Sequence, residues 1–312
     1  MGFLTKWGSA WGDIPLTTGR IFWVAPSSYT LEGRAYSSSD NNDGLSPERA
    51  LTTINQAVTN ATADVGDTIM VIGSNTFTAT QTISKAGLRI FGLPGGYTDS
   101  HSHGTRTTRY ASSITTSASV DVLTITAARV EVAFLHIVPA AGKAGVNLAA
   151  DDVNLHDLTW NMSTAANTAT FGVSVTGASA RPRISNNYVY VSDNQGPFLR
   201  CAASTAGMDG GFLRRSTIVL AGTTAWDDAV EITTGVDNFQ VADMDFIASS
   251  GAVITNCVNI LGNTNDHGVM VARCIHPVAS TLTTATSTSD IVLVNNYIAT
   301  IRGGSGGTLT TG

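Results

Sequence analysis

The chain has 312 residues, only 13% of them charged, and a formal net charge of −6. Nucleic-acid binders need concentrated Lys and Arg, so this mildly acidic balance argues against binding DNA or RNA through phosphates. No apolar run approaches the length of a membrane span, and three cysteines (Cys201, Cys257, Cys274) make no disulfide framework.

Residues 1–35 form an aromatic-rich segment with Phe3, Trp7, Trp11, Phe22 and Trp23, broken by Gly2, Gly8, Gly12 and Gly19. Two roles stay open for it. The rings pack on the first layer of the fold and close it, or Trp7, Trp11, Phe22 and Trp23 anchor the chain to a larger assembly, since large aromatics supply most interface energy. The run Met1 to Trp7 has no basic stretch followed by a long apolar core, so no secretory signal is expected. Ser46-Pro47-Glu48 then opens a helix predicted over residues 46–62, with Ser at the N-cap and Pro at the first position. Ala50, Ile54, Ala57, Val58 and Ala61 give it an apolar stripe. After Gly66-Asp67, strands are predicted at 68–72, 77–83 and 88–91.

From there the chain repeats. Apolar pairs five residues apart recur as Val132/Ile137, Leu155/Trp160, Ile184/Val189, Leu213/Ile218, Val241/Phe246, Met270/Ile275 and Leu293/Ile298. A second series, Ile125, Leu148, Val175, Cys201, Ile232 and Ile260, runs in step with it. Period two within a segment means strand, and a period of roughly 23 to 31 residues between segments means stacked coils. A coil cannot bury its inward face alone, so coils share one continuous core. Asn and Asp cluster between the anchors, as in Ser185-Asn186-Asn187 and Val294-Asn295-Asn296, and tolerate the left-handed backbone of a sharp bend. A β-sandwich would also alternate, but it would not hold two registers in step. The expected fold is all-β, a right-handed parallel β-helix over residues 36–302. The helix acts as a lid at its start, and a Gly-rich tail follows at 303–312.

The run Asp43-Gly44-Leu45-Ser46-Pro47, the helix, Gly66-Asp67-Thr68-Ile69 and Gly87-Leu88-Arg89-Ile90-Phe91-Gly92 resemble the leading segment of pectate-lyase-like right-handed β-helix proteins. The resemblance covers most of residues 20–300 and implies the fold. It leaves function open, because that superfamily includes polysaccharide lyases and hydrolases, phage tailspikes and non-catalytic virion proteins.

Enzymes of this fold work on the outward side of the first strand of several adjacent coils. In the register above that column reads Asn147, Ser174, Arg200, Glu231 and Asn259, with Asp227 and Asp228 just before Glu231. Glu231, Asp228 and Arg200 are therefore the catalytic candidates, as paired carboxylates for glycoside hydrolysis or as a lyase site. The competing reading, a cross-strand ion pair on a solvated face, is preferred. The column before the second anchor reads His136, Thr159, Tyr188, Thr217, Asp245, Cys274 and Tyr297, too mixed to name a substrate. Asp157 and Asp243 read as turn residues, and His156 and His267 as surface residues without partners. His101-Ser102-His103 is the one weak metal candidate. No cofactor motif is present.

Low charge fits a Thr-rich β surface or a surface covered by neighbouring subunits. The expectation is a non-enzymatic bacteriophage virion protein, a capsid decoration, spike or fibre component. It would be made in the host cytoplasm, partnered by other virion proteins and by copies of itself, with a homotrimer expected. The alternative is a carbohydrate-active enzyme or glycan-binding module acting on host surface polysaccharide.

Overall fold

A computed structural model describes residues 19–31, 33–93, 112–163, 170–192, 196–201, 207–221, 225–233, 236–249, 252–261, 268–277, 279–285, 291–299 and 309–311. Its strands wind through three sheets in turn. Sheet 1 holds ten parallel strands from Ile21–Val24 to Ile291–Val294. Sheet 2 runs from Ser74–Phe77 to Tyr297–Ala299 and ends with the antiparallel strand Leu309–Thr311. Sheet 3 holds eight strands from Gln81–Ile83 to Thr281–Ala285. The fold is a right-handed parallel β-helix, as the repeat implies.

Both core columns stack rung on rung. In sheet 1, Ile90, Val132, Leu155, Ile184, Leu213 and Val241 oppose one another. In sheet 2 the column is Ile137, Trp160, Val189, Ile218 and Phe246. The second series is continuous in sheet 3, from Ile83 through Ile125 to Ile260.

The constant five-residue offset has a backbone cause. Phe134, Asp157, Asn186, Arg215, Asp243, Arg273 and Asn295 all have positive φ, each two residues after its sheet 1 anchor. Gly87, Arg129, Asp152, Arg181, Gly210, Asn238 and Gly268 do the same three residues before theirs. One left-handed residue turns the chain sharply without opening the ladder.

These markers correct the expected register in one coil. Gly268 and Arg273 bracket Val271, which pairs with Val241 and Leu293, while Met270 pairs with Gln240 on the outer face. Ile275 pairs with Asp245 and Tyr297, so His276 takes the inward place. The pair is Val271/His276, not Met270/Ile275, and Cys274 lies buried in the turn instead of in the outward column. A one-residue slip reverses the faces of a strand, and two apolar neighbours hid it.

The leading end also differs from expectation. A 3-10 turn spans Pro47–Arg49 and the α-helix, α1, spans only Ile54–Asn60. Between them Leu51 is extended, because its N–H donates to the Trp23 carbonyl and its carbonyl accepts from the Ala25 N–H. That lets Ala50 and Leu51 bury on opposite sides, which one helical face could not do. Ser46 makes no side-chain cap bond, whereas Thr53 caps α1 by accepting from the Gln56 N–H. Residues 77–83 likewise form two strands in different sheets. The lid role has a specific basis. Asn55 bonds the Thr80 carbonyl and the Thr82 N–H through its side chain, at 3.0 and 2.6 Å, and so pairs the leading edge of sheet 3.

Inside, Trp160 and Phe198 meet edge to face at 5.4 Å, and glycines make room for them. A Cβ at Gly145 would lie 2.7 Å from a Trp160 ring carbon. Gly145→Val is expected to cost about 1–3 kcal/mol by overpacking. Denaturant unfolding of that variant against wild type measures the loss.

Candidate functional site

The outer face of sheet 3 places the candidate residues as the register requires. Asn147, Ser174, Arg200, Glu231 and Asn259 stand on successive rungs. Arg200 Nε lies 3.4 Å from Glu231 Oε1, and the Arg200 guanidinium sits 5.0 Å above the Phe171 ring. Burial pushes the Glu231 carboxyl above its ordinary range, aided by the nearby Asp228 charge, and the Arg200 cation offsets this only in part.

Asp228 points to the same face, because the strand Trp226–Ile232 bends so that Ala229 and Val230 both turn into the core. Its two carboxylate oxygens accept from the side-chain amides of Asn256 at 2.8 Å and Asn259 at 3.0 Å. Asn256 in turn accepts from the Thr284 hydroxyl at 2.7 Å. Further up the face, Thr176 donates to Asn147, and Asn147 donates to Asp121. The column is a hydrogen-bond ladder running between coils. Chemically, it offers one half-buried carboxyl with a raised proton affinity beside a guanidinium, and a second carboxylate already engaged by amides.

The sheet 2 column carries His136, Thr159, Tyr188, Thr217, Asp245 and Tyr297 as expected, with Ile275 replacing Cys274. Burial brings the His136 imidazole down to about 4, and its Nδ1 lies 3.0 Å from the Thr159 hydroxyl. Burial also raises the Asp245 carboxyl.

His156 is not a partnerless surface residue. Its Nε2 lies 2.9 Å from Glu131 Oε1 and its Nδ1 2.8 Å from Asp157 Oδ2, while Arg89 approaches the other Glu131 oxygen at 3.3 Å. These residues occupy the outer face of sheet 1 and its turn, which the sequence reading left unsearched. The signal was present: Glu131 and His156 flank equivalent anchors on adjacent coils. Asp157 and Asp243 are left-handed turn residues, with φ of 50° and 55°. Asp243 is also clamped by Arg273 at 2.6 and 2.9 Å, which holds its carboxyl below the usual range.

Phe22 is 1% exposed in the main core, and Trp23 is 5% exposed in a second cluster with Met70 and Phe91. Both rings are spent on packing and leave no surface for an anchor. Trp7, Trp11, His101, His103 and His267 lie outside the described residues. Among the described residues no group of three or more His, Cys, Asp or Glu could hold a metal ion, and no helix is long and apolar enough to cross a membrane.

This winding, with its lid and ladders, defines a member of the right-handed parallel β-helix class. Solved structures with the same architecture include pectin methylesterase from carrot (TM-score 0.57, 13% identity, 91% of this chain and 84% of that one). Pectin methylesterase from Aspergillus niger matches with a TM-score of 0.54 and 16% identity over 87% and 88% of the two chains. Alginate lyase from Paenibacillus sp. str. FPU-7 gives 0.50 and 14% over 78% and 92%. At these identities the likeness is one of fold. No protein-family model matches the sequence, and no curated protein matches it in sequence.

One pH effect follows from the His156 cluster. Although burial opposes it, the bonds to Asp157 and Glu131 raise the imidazole to about 9. A raised folded value means the stabilisation is complete below about pH 6.5 and is lost as pH rises through about 9. Wild type is expected to lose several degrees of Tm between about pH 7 and 10 beyond any loss in His156→Gln, as read by thermal unfolding across that range.

Proposed function

We propose that this chain is a structural β-helix protein of a virus particle, a capsid decoration, spike or fibre component, assembled as a homo-oligomer and most simply a trimer. The observation that carries this reading is the use made of the polar residues on the outer faces. Asp228, the best-placed partner for Glu231, has both oxygens bound by Asn256 and Asn259. Glu231 faces Arg200, and Asp152 and Asp243 are tied to Arg181 and Arg273. Carboxylates joined between coils stiffen a rod, which suits a part that must project or cover. The docking role assigned to the aromatic leading segment passes to Trp7 and Trp11. The tests are whether the protein is found in purified particles and whether Trp7→Ala/Trp11→Ala abolishes incorporation while the rod still folds. A rod absent from particles overturns the reading.

A second reading has one specific support. The raised Glu231 carboxyl beside Arg200 suits a general acid acting on a polysaccharide, with Asp228 as the second carboxylate. In that case Glu231→Gln abolishes release of reducing ends or unsaturated products from host surface polysaccharide. Under the structural reading no such release occurs with wild type.

A further inference from the structure

The outer face of sheet 2 turns apolar in the trailing half of the rod. Outward and core positions alternate in the strands Tyr188–Val191, Thr217–Leu220 and Asp245–Ala248. One outward column reads Tyr190, Val219 and Ile247, each directly opposite the next. The column beside it reads Tyr188, Thr217, Asp245, Ile275 and Tyr297. Asp245 is the one charged residue among them, and Ile247 is 39% exposed. The other exposed large apolar residues stand apart from this face. Leu45 and Val65 precede the strand Thr68–Val71, Leu261 follows a sheet 3 strand, and Val292 and Leu293 belong to the last sheet 1 strand.

The other two outer faces are charged along their length. Sheet 1 turns out Arg89, Glu131, His156, Arg183 and Arg214, and sheet 3 turns out Arg200, Asp228 and Glu231. This contrast decides which face can meet its own copy. In a ring of copies with parallel axes the symmetry axis runs along the rods, so every residue stands at the same height in each copy. A face turned toward that axis therefore meets itself, rung for rung. On sheet 1 or sheet 3 that would set Arg183 against Arg183 or Glu231 against Glu231, and like charges at close quarters are unfavourable. The column Tyr190, Val219 and Ile247 brings only apolar and aromatic groups together, and burying them is favourable. Asp245 lies two residues before Ile247 on the same strand, about 6.6 Å along it, and so flanks the line of contact.

We propose that three copies stand side by side with parallel axes and bury the sheet 2 column Tyr190, Val219 and Ile247 against one another around a threefold axis. This rests on the homo-oligomer reading and names the surface that builds it.

Native mass spectrometry and light scattering of the full chain test it, with far-UV circular dichroism as the check on folding. Wild type is trimeric. Ile247→Lys, at a position already open to solvent, keeps the fold and shifts the chain toward monomer by at least about tenfold in the assembly constant. Arg183→Glu, on the outer face of sheet 1, leaves the trimer unchanged. Val219→Cys and Ile247→Cys, made separately, each form a disulfide between copies on mild oxidation, because each residue faces its own counterpart. The native Cys201, Cys257 and Cys274 are buried and stay out of the reaction. Cross-linking at only one of the two positions marks an antiparallel pair and overturns the interface. A monomeric wild type overturns the homo-oligomer reading and this interface with it. A trimer that withstands Ile247→Lys, or that falls apart with Arg183→Glu, overturns the interface alone and leaves the oligomer standing.

Discussion

The structure depends on a backbone constraint: each sheet 1 strand from Glu131–Ala133 to Val269–Ala272 lies between two left-handed residues, one three positions before its core anchor and one two positions after. The segment between them is constant in length although the coils are not. Successive sheet 1 anchors from Val132 to Leu293 stand 23, 29, 29, 28, 30 and 22 residues apart. Length variation is therefore confined to the other connections, and the columns never lose step. Without that fixed frame, outward residues such as Arg200 and Glu231 would not stand opposite one another, and neither ladder would form.

Most of this was legible because it is periodic. Anchors such as Ile184, Leu213 and Val241 need only an apolar residue at a regular interval, and the eye finds that without coordinates. The sheet 3 register was legible for the same reason, down to the pairing of Arg200 with Glu231. Failures came where two positions were equally apolar or where burial had two directions. Met270 and Val271 are adjacent and both apolar, and only the turn residues Gly268 and Arg273 decide between them. Ala50 and Leu51 looked like one helical stripe, yet they bury in separate clusters, because the chain here serves both the core and the outer side of sheet 1. His156 was missed because its partners come from the strand above and the turn beside it, a diagonal relation that a search along columns does not sample.

Electrostatics on the outer faces follow one rule. Where a carboxylate and a cation or amide fall on adjacent rungs, the spacing of a parallel ladder brings them within bonding range, and the pair is used. Arg181 with Asp152, at 2.7 Å, and Arg273 with Asp243, at 2.6 Å, obey it, and Arg129 reaches past the Gly87 rung to Asp64 at 2.7 Å. Exposed pairs of this kind add little stability singly. Their value here is positional, since each couples two coils at the surface where the core cannot.

The two ends of the rod are chemically unlike. At the start, α1 and Leu51 seal the apolar interior. At the last described coil, the inward residue Leu293 is 57% exposed beside a cavity of about 240 Å³ lined by His276, Leu282 and Asn296. Among the described residues the rod therefore has a direction, with one end sealed by α1 and the other ending on an exposed core anchor. Its length is a countable quantity: inserting a coil before the trailing end would add one step of about 4.8 Å and leave the sealed terminus untouched. In such a scaffold reach can be graded in whole steps, while the end that fixes the winding stays the same.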